Sequence, residues 1–301
     1  MHEIILTPKN QSLISLEAEV ITPDNFAGKS LGDVENMVIY RGNMSVQLKE
    51  HFDVSGTPCE TAERLRIVID GDASRTKRIG EKMSCGEIVI RGNVDMHVGA
   101  EMTGGKITVE GSADNYAGRE MTGGIIHIKC NALHYAGGTA RGKKRGMAGG
   151  TLLIDGSAGD HVGNFMYGGN IKVEGNVGQC AGTHMRGGTI IIGGNAFSRI
   201  GSEMATGTIL VKGKVHLTTA SLGYGSIGRI VRDPEVGGTM VRGEFYELRG
   251  DLGYEPKCGS GVIYASVEHN EHILPGGADM PPKRNMLPYL KIYHSEIRGR
   301  C

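Results

Sequence analysis

The densest group of reactive side chains in the sequence is a run of cations, Arg141, Lys143, Lys144 and Arg145, inside GTARGKKRGM. Four positive charges in five residues suit charge-assisted bonds to carboxylates or phosphates. The competing reading of any such run is a solvated charged loop. A looser basic group, Arg75, Lys77 and Arg78, lies in SRTKRIG. The six cysteines, Cys59, Cys85, Cys130, Cys180, Cys258 and Cys301, show no CxxC and no metal-ligand spacing, so neither a disulfide framework nor a cluster site is expected within this chain. The glycines make no phosphate loop, because GxxxxGK[ST] is absent and no helix follows a GxGxxG to receive a phosphate. Serine or cysteine nucleophiles cannot be argued without a base held beside them.

What positions these residues is a repeat. EIVIRGNVDMHVGAEMTGG (87–105) is followed at once by KITVEGSADNYAGREMTGG (106–124), and the pattern returns at 151–169, 170–188 and 189–207. The period is 19 residues. One glycine marks the register at Gly71, Gly92, Gly111, Gly156, Gly175, Gly194 and Gly213, with Cys130 in its place once. A methionine ladder, Met83, Met102, Met121, Met147, Met166, Met185 and Met204, marks it independently. The two basic groups are where the period lengthens, by two residues before Ile79 and by seven before Met147. Insertions of this kind in repeat proteins map to loops, where function often lies.

A fixed period near 20 residues is the mark of a solenoid, whose units bury their apolar faces only by stacking. Ile107 and Val109 alternate with Lys106, Thr108 and Glu110, the period of a strand with one face buried. The expected fold is therefore all-β: a right-handed parallel β-helix of about eight coils, with an N-terminal α+β cap and an extended C-terminal arm. Its divisions are 1–65 for the cap, 66–217 for the column, and 218–301 for the closing segment and arm. Within the cap, a strand is expected over Ile14 to Val20, a short helix from Pro23 and a strand at MVIY. His97 and His161 occupy one repeat position three coils apart, roughly 14 Å at strand spacing, so they cannot share a metal. His127, His134 and His184 fall on surface positions. Glu101, Glu120 and Glu203 form a broken row that suits cations or plain solvation.

Composition narrows the partners. The 33 basic and 33 acidic residues cancel, with no excess to hold nucleic acid. No apolar run is long enough to span a membrane and the start MHEIILTPK lacks a signal-peptide shape, so a cytoplasmic location is expected.

The repeat, with its Gly-x-x-Met-x-Gly-Gly ending, resembles the GXGXG domain shared by the C-terminal part of glutamate synthase and by the C subunit of formylmethanofuran dehydrogenase. ITPDNFAGKSL, HFDVSG and the trailing FYELRGDLG with GVIY are similar to segments of the latter family. That resemblance implies a non-catalytic scaffold in a complex that reduces carbon dioxide and fixes it on methanofuran in methanogenesis. It places the cofactors in other subunits: a tungsten or molybdenum pterin in one, binuclear zinc in an amidohydrolase-like one, and iron-sulfur clusters in ferredoxin-linked ones. It implies no catalytic residue and no metal in this chain. Arg141, Lys143, Lys144 and Arg145 are then candidates for contact with the glutamate-bearing coenzyme tail or with a partner surface. The C subunit of the bacterial formyltransferase/hydrolase complex and a glutamate-synthase-like domain stay open beside it.

Overall fold

The computed structural model describes residues 2–9, 13–217, 227–249 and 260–273. Of the Pro-rich stretch ILPGGADMPPKRNMLP only its first residue, Ile273, is among them; the rest, with the expected extended arm, lies outside the described residues. Strands dominate. The α-helices among the described residues are short, Pro23–Phe26 and Leu31–Glu35. Thr22 caps the first by accepting from the Asn25 N–H, and Ser30 with Asp33 forms a capping box on the second.

Most strands join one 13-stranded sheet. Its middle runs in chain order through Leu65–Ile69, Glu87–Ile90, Lys106–Val109, Ile125–Ile128, Ala148–Ile154, Gly168–Val173, Arg186–Ile192 and Thr206–Val211, all parallel. Pairing follows the repeat: Ile67 lies against Ile88, Ile88 against Ile107, Ile107 against Ile126, and Ile126 against Leu152. A slip of one residue would turn the inward ladder to solvent, so the alternation itself sets the register. The inward Ile88, Ile90, Ile107, Val109, Ile126 and Ile128 are fully buried.

The rest of each repeat is bonded to its neighbours as well. Two residues after the marker glycine, Ala73, Val94, Ala113, Ala132, Ala158 and Val177 form a line of parallel bridges. Further on, the His97 N–H donates to the Asn115 carbonyl and the Tyr116 N–H to that of His134. Residues at these turns take positive φ without being glycine, among them His97 (70°), Tyr116 (67°), Tyr135 (62°) and His161 (64°). Left-handed backbone costs such residues roughly 1–2 kcal/mol each. The inter-repeat N–H bonds it allows offset that cost.

Glycine and methionine positions are coupled. Gly105 has φ +75°, and a β-carbon on it would sit 2.6 Å from the Met83 methyl. Each methionine methyl thus fills the space left open by a glycine of the following repeat, as Met102 does at Gly124 and Met166 at Gly188. The marker glycines are needed for close approach: at Gly92 a β-carbon would meet the Asp72 Cα and the Gly71 carbonyl oxygen at 2.7 Å. Where Cys130 stands instead, its N–H reaches the Gly111 carbonyl at 3.3 Å, against 2.9 Å for Gly175 on Gly156. Cys130 is disulfide-bonded, whereas Cys59, Cys85 and Cys180 are free.

At the sheet's ends the chain order breaks. His2–Pro8 pairs parallel with Leu65–Ile69, adding Ile4 and Leu6 to the inward ladder, and Phe52–Gly56 closes on it antiparallel. At the other end Val262–Ser266 pairs parallel with Thr206–Val211, Ile263 beside Ile209, and is followed by antiparallel Glu244–Arg249 and Ile227–Arg232. Antiparallel closure protects edges that parallel strands would leave open. The strand expected over Ile14 to Val20 shrinks to Leu16–Glu17, the residues that lie in ladder register with Arg41 and Tyr40 on one side and Thr76 and Lys77 on the other, the Ala18 N–H adding one bond to the Lys77 carbonyl. A hairpin of Glu235–Val236 and Thr239–Met240 brings Val236 and Val241 over the outer face, where Ile191, Leu210, Phe245 and Tyr264 complete a second apolar cluster.

Candidate functional site

The basic insertion is held at its base. Its N–H at Ala140 donates to Glu120 Oε1 at 2.9 Å, and Lys143 Nζ donates to Glu120 Oε2 at 2.6 Å. The Glu120 side chain is 11% exposed and is backed by Arg119, whose Nη1 lies 3.4 Å from Oε1. Burial would raise the Glu120 pKa, but the bonds from Lys143 and Ala140 and the charge of Arg119 outweigh it and hold the carboxyl below its ordinary value. Arg145 lies over the Tyr167 ring at 5.5 Å from its centroid, with Arg186 at 6.0 Å. Arg141 and Lys144 are exposed and have no ion-pair partner among the described residues. The four cations therefore divide into an anchor, a stacked guanidinium and two displayed charges.

Arg119 is the centre of a network across several repeats. It is 9% exposed and meets Glu101 at 2.9 Å and Glu81 at 3.7 Å. Glu81 also receives Arg78 at 2.8 Å, and Arg78 and Lys77 reach Glu17 at 2.6 and 3.3 Å. The first basic group is thus largely neutralised, with Arg75 exposed. Glu101, Glu120 and Glu203 are no open cation row, since Glu203 pairs with His184 at 3.2 Å. Their shared repeat position is visible in the sequence, but not which cations the neighbouring repeats bring to them.

Four rings stack along the turn: His97, Tyr116, Tyr135 and His161, with centroids 5.1, 5.0 and 4.7 Å apart in succession. The sequence signal for this stack is one ring at one position in four successive repeats. Burial, followed by the charges of Arg119 and Arg78, pushes the His97 pKa down to about 4, and burial lowers that of His161. Both imidazoles are neutral at neutral pH, and the tyrosines between them separate them as expected. His134 accepts the Asp160 N–H at Nδ1, 2.9 Å away, and His127 Nε2 lies 2.8 Å from Asp155. Among the described residues no three His, Cys, Asp or Glu side chains converge as metal ligands.

At the marker glycines Gly92, Gly111, Gly156, Gly175, Gly194 and Gly213 a β-carbon would come within 2.3 to 2.7 Å of the preceding repeat, whereas at Gly71 it would meet only the Pro8 ring, at 3.2 Å. The arrangement defines a strand-rich chain built from stacked repeats. No family model matches the chain. It is 53% identical over 98 residues to the C subunit of tungsten-containing formylmethanofuran dehydrogenase 2 of Methanothermobacter wolfeii, covering 33% of this chain and 36% of that protein. It is 48% identical over 98 residues to the C subunit of molybdenum-containing formylmethanofuran dehydrogenase 1 of Methanosarcina barkeri, covering 33% of each. The match thus spans about a third of the length of these curated relatives. A chain in the crystal structure of the formyltransferase/hydrolase complex of Methylorubrum extorquens with methylofuran is similar over 87% of this chain and 99% of its own, at 26% identity and a TM-score of 0.76. The resemblance to the C subunit of formylmethanofuran dehydrogenase that the sequence suggests is borne out by these relatives.

Proposed function

We propose that this chain is the scaffold subunit of a formylmethanofuran dehydrogenase complex, the assembly that fixes reduced carbon dioxide on methanofuran in methanogenesis. Its column is a right-handed parallel β-helix over residues 66–217, with a cap at 1–65 and a closing segment at 218–301. In-register parallel strands and a second line of parallel bridges support the β-helix, and the handedness rule for parallel crossovers supports its hand. The observation that carries the functional reading is the identity of 53% to the C subunit of a tungsten-containing formylmethanofuran dehydrogenase. In this reading the chain works in the cytoplasm and contributes no catalytic residue. Its partners hold the tungsten or molybdenum pterin, the binuclear zinc and the ferredoxin-linked iron-sulfur clusters, and the loop at Arg141, Lys143, Lys144 and Arg145 meets a partner or the coenzyme tail.

The test is anoxic purification of the tagged full chain from its native cells. Co-elution with tungsten- or molybdenum-containing subunits, formylmethanofuran oxidation by the complex and none by the free chain are expected. A monomer without a metalloprotein partner, or turnover by the free chain, overturns the reading. The structural likeness at 26% identity supports a second reading, the C subunit of a formyltransferase/hydrolase complex. Formyl release without an electron acceptor, in a complex lacking tungsten and molybdenum, would select it.

A further inference from the structure

The insertion between Gly138 and Met147 is built to display charge, and its construction points to the chemistry of what it meets. The loop leaves the column after Gly137, and the Met147 N–H returns to the Gly137 carbonyl at 3.0 Å, closing the excursion without disturbing the methionine ladder. A free cationic loop would carry no preferred geometry. This one is tied twice to Glu120, through the Ala140 N–H and Lys143 Nζ. The tie uses the charge of Lys143 internally, on a carboxylate that Arg119 also meets at 3.4 Å. Arg145 is laid against Tyr167 with its charge retained. Arg141 stands on the side of the stacked rings, near enough to Tyr135 for its charge to act on the phenol. Arg141, Lys144 and Arg145 are left as exposed cations on a loop whose base is fixed.

We propose that this loop is a docking surface for an acidic segment of a partner protein, carrying several carboxylates in succession. Charge complementarity names the occupant. A preorganised set of guanidinium and ammonium groups spread over a loop matches carboxylates spaced along a chain, and holding the loop beforehand reduces the ordering cost of binding. Glu120 is a positioning residue, acting through Lys143 and Ala140 rather than by touching the partner. The proposal deepens the scaffold reading and rests on it for the existence of a partner. The scaffold reading stands without it, because subunits can join the column at other faces.

The experiment uses the full chain and a fluorescein-labelled decaglutamate peptide, with binding followed by fluorescence anisotropy over a sodium chloride series. Affinity is expected to fall steeply with salt, as exposed charges are screened. The R141A/K144A double variant is expected to weaken binding about ten-fold, in keeping with the loss of two exposed ion contacts beside a third. The K212A/K214A variant removes the same net charge from exposed positions on a distant repeat and is expected to leave affinity within two-fold, roughly the non-specific share of screened charge. The E120Q variant makes the chain more positive yet is expected to weaken binding several-fold, because the loop loses its anchor. Tighter binding by E120Q, unchanged binding by R141A/K144A, or equal losses in the two double variants would each overturn the proposal. Displacement of the peptide by citrate or free glutamate at equal carboxylate concentration would overturn it too, in favour of a small polycarboxylate ligand. Both loop substitutions lie on exposed side chains, so the folded column is retained and thermal unfolding of each variant verifies it.

Discussion

At Gly123 a β-carbon would lie 2.2 Å from the Thr103 carbonyl oxygen of the preceding repeat. At Gly142, in the basic loop, φ is +87° but nothing lies within 4 Å. The first glycine is demanded by packing and the second by backbone conformation alone. Gly123→Ala is expected to cost roughly 1–3 kcal/mol, as overpacking against backbone that cannot yield. Gly142→Ala should cost about 1 kcal/mol, the low end of the left-handed penalty. Urea midpoints at unchanged slope measure both, and equal losses would show that the repeats do not approach as closely as described. His97 gives the residue scale a pH signature. Its folded pKa is held at about 4 by burial and then by Arg119 and Arg78, below its ordinary value of 6.5. The unfolded chain takes the proton first as pH falls, so the stability His97 contributes is complete above pH 6.5 and lost between there and about pH 4. Tyrosine already occupies this position in the next two repeats, so His97→Tyr should keep the ring stack while flattening acid destabilisation in that window. Parallel stability curves for the two proteins would refute that attribution.

Individual repeats are joined by side chains as well as strands. One residue after the marker glycine, the Ser112 N–H donates to Asn93 Oδ1, Asn131 N–H to Ser112 Oγ, Ser157 N–H to Asn131 Oδ1, Asn176 N–H to Ser157 Oγ and Asn195 N–H to Asn176 Oδ1. The ladder ends at Lys214, whose side chain cannot accept. Asn270, fully buried, ends the neighbouring line instead: it accepts the Val215 N–H and donates to the Gly213 and Ser266 carbonyls. Asn270→Leu is expected to cost about 2–3 kcal/mol by stranding those groups, read as a lowered denaturation midpoint, and a change within 0.5 kcal/mol would deny it the closing role, being no more than an ordinary surface substitution. Legibility divides along the same line. The inward isoleucines, the methionines and the basic insertion are visible because their causes lie within one period. The pairing of Val262–Ser266 with Thr206–Val211, and of Lys143 with Glu120, is not, because each joins residues that only the finished fold brings together. Apolar Ile191 and Leu210 at outward positions are likewise explained only by the hairpin that covers them.

For the molecule as a whole, stacking by like residues makes the repeat count adjustable. Removing 170–188 would bring Thr189 directly after Gly169, and the lost strand and bridge contacts have equivalents in the next repeat, although the Phe165–His184 ring stack does not, since Glu203 stands at that position. Ile154 would meet Ile192 in place of Val173, Ala158 would meet Ala196 in place of Val177, and the Met166 methyl would fill the space over Gly207 rather than Gly188. One position resists: Val162 would face Ile200 where it now faces Ala181, which adds volume inside the column and costs roughly 1–3 kcal/mol. Stability of such arrays is close to a sum over units and their interfaces. The shortened chain is therefore expected to fold with a lower midpoint and an unchanged strand signature in circular dichroism. Removing 170–178, an odd fraction of a period, would turn inward side chains outward and is expected to abolish cooperative unfolding. If the full-repeat deletion fails to fold while the partial one survives, the strands are not held by periodic stacking. If the full-repeat deletion folds but no longer co-elutes with the partner subunits proposed above, the spacing along the repeats is itself what the proposed assembly measures.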